Sequence, residues 1–352
     1  MKNLKKEKLL KSNLELAKRI AGEGIVLLKN KDNILPLDPA EALAVFGRGC
    51  IDTKISGSGS GATESEDTIN IIDGLLRYDY NIDKSLLNFY ERKVSNNNNN
   101  SIKKIFSENT ENEKDNDLPW WYEFWGKYNS PASEIDINNQ LVKKASQKSE
   151  TALVVISRVS GGEECDRRLE DDYYLSKKEK RLLKQVSKSF FNVIVLLNIA
   201  GVIDLSWVNE FPTVKGILNI SLPGQIAGTA VAEVLKGKIT PSGKLVDSYA
   251  GSYDDYPGAE HFSFNKEKPE NIKIYQDYGL DPEENGSIDF VISPVTVYQE
   301  SIYTGYRYFD TFGIDLIYPF GFGLSYTEFD INYLEGMVNI EQDLISLKIK
   351  VN

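Results

Sequence analysis

Histidine is nearly absent: His261 stands alone among 352 residues. A Ser-His-Asp or Cys-His relay would have to use that one side chain, and a histidine-rich metal site is excluded. Acid–base chemistry, if the chain performs any, falls to carboxylates. Cysteine is almost as scarce. Cys50 and Cys165 lie far apart in sequence, so no disulfide framework is implied. No stretch approaches the roughly 18 consecutive apolar residues of a membrane span. The basic start "MKNLKKEKLLKSNLELAKRIA" never becomes the continuous apolar run of a secretory signal. Positive charge is in the minority, with 41 Lys and Arg against 52 Asp and Glu and a net charge of -11. The basic face that nucleic acid requires is therefore missing, and anionic membranes are disfavoured. A neutral ligand such as a sugar is compatible with this balance. The expectation is a cytoplasmic protein with no cofactor, no metal, and neither nucleic acid nor membrane as partner.

What is present reads as an α/β protein, long enough for more than one compact unit. Apolar positions at helical spacing (Leu9, Leu10, Leu14, Leu16, Ile20) run into "GIVLLKN" and the turn "ILPLDP". "ALAVFG" (42–47) is a short buried strand, followed by a glycine-rich stretch and by "DTINIIDGLLRY", a helix with an acidic first turn. From 134 onward amphipathic helices alternate with apolar strands at "ALVVIS", "VIVLLNI" and "GILNIS". The helix "GQIAGTAVAEVLKGK" follows, closed by Gly237 and stopped by Pro241. Strands buried on both faces and separated by helices predict a three-layer αβα sandwich with a mostly parallel sheet. The expected limits are 1–250 for the sandwich, 251–327 for a Tyr- and Gly-rich remainder and linker, and 328–352 for an incomplete all-β segment whose residues alternate with period two. Residues 95–117, polar and Asn-rich, are expected to form a disordered insertion.

Four features could carry chemistry. "SGSGSGA" (56–62) could cradle a phosphate, but it lies too far from the preceding strand for a dinucleotide fingerprint, and no Gly-Lys-Ser/Thr ends it. Cys165 beside Arg167 and Arg168 could be a thiolate, or simply structural. The aromatic cluster at 118–128 could anchor the insertion to the core, or its Trp120, Trp121 and Trp125 could stack against sugar rings. The last feature is "SRVSGGEECDRRLE", where a core strand empties into carboxylates and guanidinium groups. Ligands of open α/β sheets bind outside the carboxyl ends of the strands, which is where Glu163 and Glu164 fall. Physics alone leaves a functional glutamate and a salt-bridged surface loop both open.

In order along the chain, "AGEGIVLLKNKDNILPL", "VVISRVSGGEECDR", "LLNIAGVIDLSWV", "VAEVLKGKITPSGKL" and "ESIYTGYRYFDTFGIDLIYPFGFGLSYTEF" resemble the C-terminal α/β sandwich of glycoside hydrolase family 3 and the start of its fibronectin type III-like module. The resemblance implies the acid/base-supplying domain of a retaining β-glycosidase, β-glucosidase-like, acting on a β-linked oligosaccharide or glycoside. The family's (β/α)8 barrel supplies the nucleophilic aspartate, and no such barrel fits in this chain. Met1 leading directly into the sandwich, and the β segment cut off at Asn352, match a truncated member with reversed domain order, sandwich first; a split or degenerate gene is equally open. Where the family reads Ser-Gly-Glu-Gly-Tyr-Asp-Arg, this chain has one residue more, Ser160 to Arg167. Counting back from Asp166 assigns the acid/base to Glu163, with Glu164 as the alternative; Asp166 and Arg167 match the loop-stabilising pair. The competing expectation is a non-catalytic carbohydrate-binding or interaction module using the tryptophans.

Overall fold

The computed structural model describes residues 2–57, 61, 63, 65, 67–107, 133–158, 172–259 and 298–352, with the backbone alone for 2–7 and 96–107. At its centre is a six-stranded sheet in the order β1-β6-β5-β4-β2-β3. The strands are β1 (Val26–Asn30), β2 (Ala42–Phe46), β3 (Asn81–Ile82), β4 (Thr151–Ser157), β5 (Asn192–Asn198) and β6 (Val214–Asn219). β3, β2, β4, β5 and β6 run parallel, and β1 closes one edge antiparallel to β6. The expected sandwich with a mostly parallel sheet is the fold observed. The sequence reading took "GIVLLKN" only as the run after the first helix. Its Val26–Leu28 are buried, and an apolar run that follows a helix after a single residue is hard to separate from the helix end by periodicity.

Burial explains why these segments become strands. Ala152–Ile156 of β4 and Val193–Leu197 of β5 are wholly inaccessible or nearly so. Each large apolar side chain of this kind contributes roughly 1.5–3 kcal/mol on leaving water. A parallel strand covered on both faces needs such an unbroken apolar run.

Seven helices surround the sheet among the described residues: α1 (Lys2–Gly24), α2 (Ile71–Arg77), α3 (Lys84–Ser107), α4 (Asn139–Ser146), α5 (Lys177–Ser189), α6 (Ala227–Leu235) and α7 (Tyr306–Phe312). The crossover β2–α2–β3 moves one way across the sheet and β4–α5–β5 moves the other. Right-handed crossovers in opposite directions place α2 and α5 on opposite faces. α1 and α2 pack with α6; α4 packs with α5 and α3. That gives the three layers.

Helix ends follow local chemistry. α5 begins with a capping box, in which the Ser176 hydroxyl accepts from the Glu179 amide and the Glu179 carboxylate accepts from the Ser176 amide. α6 ends in a Schellman motif at Gly237, where φ is +76° and the amides of Gly237 and Lys238 donate to Val234 and Glu233 carbonyls. α2 starts later than its acidic run suggested, because Asn70 caps the amide of Asp73 and leaves 67–69 outside the helix. α3 is buried at Leu86, Tyr90 and Val94 and continues to Ser107, into the polar stretch expected to be disordered. Once a helix is nucleated, adding residues costs little; 108–132 lies outside the described residues. Leu9, Leu10, Leu14 and Leu16 of α1 recur at helical spacing yet stay exposed. Lys18 holds that helix to the body through Glu233 on α6, 3.2 Å away.

The C-terminal region returns to the sandwich before leaving it. β7 (Tyr249–Ala250) pairs with β8 (Leu316–Tyr318), and the Leu324 amide donates to the Leu27 carbonyl of β1. Beyond lies a hairpin of β9 (Ile331–Asn339) and β10 (Leu344–Val351). Its register places Ile331, Tyr333, Val338, Ile345, Leu347, Ile349 and Val351 on one face, all exposed, and a Lys348–Glu335 pair on the other. No helix of the described residues is long and apolar enough to cross a membrane.

α2 and α6 touch backbone to backbone. A Cβ on Gly228 would lie 1.8 Å from the Asn70 carbonyl oxygen, and one on Gly74 would lie 2.0 Å from Gly228. Gly228→Ala should therefore lower stability by about 1–3 kcal/mol or more. Gly258→Ala, whose Cβ would meet nothing within 4 Å, should stay within about 0.5 kcal/mol. Urea denaturation midpoints of the two variants check the contrast.

Candidate active site

The sheet has one topological switch point. From β2 the chain proceeds outward to β3, and from β4 it proceeds the other way to β5 and β6, so the connections after β2 and β4 part company at adjacent strand ends. In open α/β sheets this is where a crevice opens and ligands bind. The loop with Glu163 and Glu164 leaves from one side of that point.

Residues 159–171 lie outside the described residues, and with them Glu163, Glu164, Cys165, Asp166 and Arg167. So do Trp120, Trp121, Trp125 and His261. The geometry that can be given is that of the loop's two ends, and it is specific. β4 ends at Ser157, and the next residue, Arg158, is buried. Its amide extends the ladder to the Asn198 carbonyl at 2.9 Å. Its Nε donates to the carbonyl of Asp172 at 2.9 Å, bridging the first and last residues around the loop. Nη1 and Nη2 grip both oxygens of Glu179 at 2.5 and 2.8 Å, and Nη1 also donates to the Ser157 carbonyl. Glu179 Oε2 accepts from the amide and the hydroxyl of Ser176 as well. One guanidinium thus pins the base of the loop to the N-terminus of α5. Sequence reasoning quoted Arg158 without giving it a role. The available signal was an arginine directly after a core strand, a position that demands a partner, with the capping-box glutamate of "SKKE" close by in sequence.

The connection after β2 crosses the end of β4 at a distance only glycine permits. Gly47 has φ of +97°, and a Cβ there would lie 2.2 Å from the Val155 carbonyl; at Gly49 it would lie 2.1 Å from Ser157 Oγ. Beyond them, Arg48 Nε and Lys54 Nζ hold the two oxygens of Asp52 at 3.0 and 2.9 Å. Burial opposes ionisation of Asp52, but Lys54 and Arg48 together keep its carboxyl below the usual range.

Glu134 enters from the other side. Both its oxygens accept from the Arg48 amide at 3.0 Å, and Oε1 also accepts from the Ile135 amide at 2.7 Å. Burial pushes its pKa up to about 7 against those hydrogen bonds, with the Glu179 charge adding to the rise. Cys50 is buried beside it, and burial raises its thiol well above the ordinary value, so it is inert as a nucleophile at neutral pH. The glycine stretch at 56–62 does not open α2 as a phosphate loop would, since 67–69 intervene and Asn70 itself caps the first turn. Among the described residues no group of three or more His, Cys, Asp or Glu could hold a metal ion.

A mostly parallel six-stranded sheet with helices on both faces and one switch point defines an α/β sandwich domain. Comparison with known proteins makes it particular. The model of the glycosyl hydrolase family 3 C-terminal domain matches residues 25–326, and the chain belongs to glycoside hydrolase family 3. A β-glucosidase of Ruminococcus albus is 32% identical over 340 residues, covering 96% of this chain and 30% of that protein. β-Glucosidase A of Butyrivibrio fibrisolvens is 32% identical and is matched over 35% of its length. The solved structure of β-glucosidase 3B from Thermotoga neapolitana superposes with a TM-score of 0.72 at 33% identity, covering 97% of this chain and 42% of that one. The chain thus spans about a third of the length of these curated relatives.

Two predictions follow from the charged groups. Arg158→Ala leaves Glu179 buried without its partner and should cost about 3–5 kcal/mol in denaturant unfolding, while Arg158→Lys, which loses the two-pronged grip, should fall between. For Glu134, the folded pKa of about 7 stands above the ordinary 4.5. Between those values the unfolded chain releases a proton that the folded one keeps, so this group's contribution to stability falls as pH rises through the window. Relative to Glu134→Gln, the native chain should lose up to about 3 kcal/mol between pH 4.5 and 8. Paired melts across that range read the sign directly.

Proposed function

We propose that this chain supplies the acid/base half of a retaining β-glycosidase, β-glucosidase-like, with Glu163 as the acid/base and Glu164 as the alternative. The observation that supports this reading is where the described ends of their loop lie: β4 ends at the switch point of a family 3 sandwich, and Arg158 after it bonds to the Asp172 carbonyl. In this scheme the glutamate protonates the leaving oxygen as an aspartate on a separate barrel attacks the anomeric carbon. It then takes a proton from the water that releases the sugar. Retaining chemistry places the two carboxyls about 5–5.5 Å apart, so the loop must reach across to the other domain while its base stays fixed. Asp166 and Arg167 hold the loop's shape. The substrate is a β-linked oligosaccharide or glycoside. The barrel comes from the part of the relatives' length that this chain does not match, whether on the same polypeptide or another. We assign 1–250 to the sandwich, 251–327 to its remainder and linker, and 328–352 to the opening strands of a fibronectin type III-like module.

The test is hydrolysis of a nitrophenyl β-glucoside. The 352-residue chain alone should give no turnover, and adding a barrel half from a family 3 relative should restore it. Glu163→Ala should then lower the restored rate by about 10²–10⁴-fold, with Glu164→Ala leaving it within a few fold. Turnover by the chain alone that depends on Glu163 would sink the claim of a missing nucleophile. Binding of cello-oligosaccharides that needs Trp120 and ignores Glu163 would make the chain a carbohydrate-binding module instead.

A further inference from the structure

Asn198, the last residue of β5, is wholly buried at the carboxyl edge of the sheet. Its side chain uses every hydrogen-bonding position it has toward three different connections. Nδ2 donates to the Lys54 carbonyl at 2.8 Å and to the Ser221 carbonyl at 2.7 Å. Oδ1 accepts from the Lys54 amide at 2.7 Å and from Ser157 Oγ at 3.2 Å. Lys54 lies on the loop after β2, Ser157 ends β4, and Ser221 lies on the loop after β6. The Lys54 peptide is held from both sides, as one strand residue holds another, although no strand is there.

Two further observations point the same way. Ser221 sits at φ of +50°, a conformation that costs a non-glycine residue about 1–3 kcal/mol and persists where its surroundings over-determine it. Its amide donates to Asn219 Oδ1 at 3.0 Å, so the turn is gripped at both ends. The loops after β2 and β6 are also joined directly, the Gly224 amide donating to the Ile55 carbonyl at 3.0 Å. Lys54 in turn carries the ammonium that, with Arg48, fixes Asp52 beside the switch point.

We infer that Asn198 is a positioning residue for the candidate active site: it locks the loops after β2 and β6 to the end of β4, so that these three connections are fixed relative to one another before any ligand arrives. This rests on the proposed reading of the switch point as the glycosidase site. Asn is the residue type for this task, because only a neutral amide offers two donors and an acceptor from one short side chain. Aspartate would keep the acceptor and turn the two donations into contacts between a carboxylate and carbonyl oxygens.

Amide hydrogen exchange on the full chain tests the inference. In the native protein the Lys54 amide and the Asn198 side-chain amide should exchange through one common opening, with parallel dependence on mild denaturant. In Asn198→Ala, exchange across 53–56 should accelerate at least tenfold while the strand core 193–197 changes less than twofold. Asn198→Asp should restore part of the protection at the Lys54 amide. Independent exchange of the two amides in the native chain, unaltered exchange at 53–56 in the alanine variant, or acceleration spread evenly through 193–197 would each overturn it. Where the barrel half restores turnover, Asn198→Ala should lower kcat at least tenfold with KM within about threefold; an unchanged kcat would also overturn it. Failure of that turnover in the native chain would count against the glycosidase reading and leave the exchange result standing.

Discussion

The interaction on which the rest of the candidate site depends is the buried pair of Arg158 and Glu179. It does three things at once: it neutralises a charge that β4 carries out of the core, holds the carboxylate that helps cap the first turn of α5, and ties the residue after the strand to Asp172 on the far side of the loop. A buried ion pair is weak as a source of net stability, since desolvation cancels much of its attraction. Its value here is geometric. The guanidinium has its donors in a rigid fork, which reaches the Glu179 carboxylate with two nitrogens and the Asp172 and Ser157 carbonyls with Nε and Nη1.

The carboxyl edge of the sheet is built differently from its interior. Inside, the strands offer only apolar side chains, and packing sets their spacing. At the edge, polar residues are buried in sequence: Arg158, Glu134, Glu179, Asn198 and Asp204. Groups of this kind tolerate burial only when their hydrogen bonds are made, and each of them is bonded to backbone, side chain or both. The loops at this end therefore start from fixed points, although nothing about loops in general requires it.

Much of this architecture could be read from the residues. The apolar runs at Ala152–Ile156 and Val193–Leu197 named central strands before any coordinates did, and Gly237 marked the end of α6. The loop with Glu163 stood out because a core strand ended in charge. What escaped had physical reasons. β1 follows directly on α1, so its apolar run reads as a continuation of the helix, and its antiparallel pairing with β6 depends on tertiary contacts. The extent of α3 depended on a buried face that nucleates the helix, which composition does not express. Asn198 and Glu134 act through partners 144 and 86 residues away, so no local pattern could announce them. The glutamates themselves rest on the family pattern, with Glu163 favoured over Glu164 by counting from Asp166.

The close passage of Gly47 and Gly49 over β4 has a bearing on how such a site can change over time. At Gly47 main chain lies against the Val155 main chain, and at Gly49 it lies against the Val155 and Ser157 side chains, so the approach leaves no room for a Cβ at either position. Substitutions on the rim, at Asp52, Lys54 or beyond, can alter which groups face a ligand while the separation of the two loops stays as it is. The chemistry of the pocket and its dimensions are thereby under separate control. New ligand preferences can be sampled by ordinary point mutation, whereas a wider or narrower slot would require the backbone itself to be re-laid.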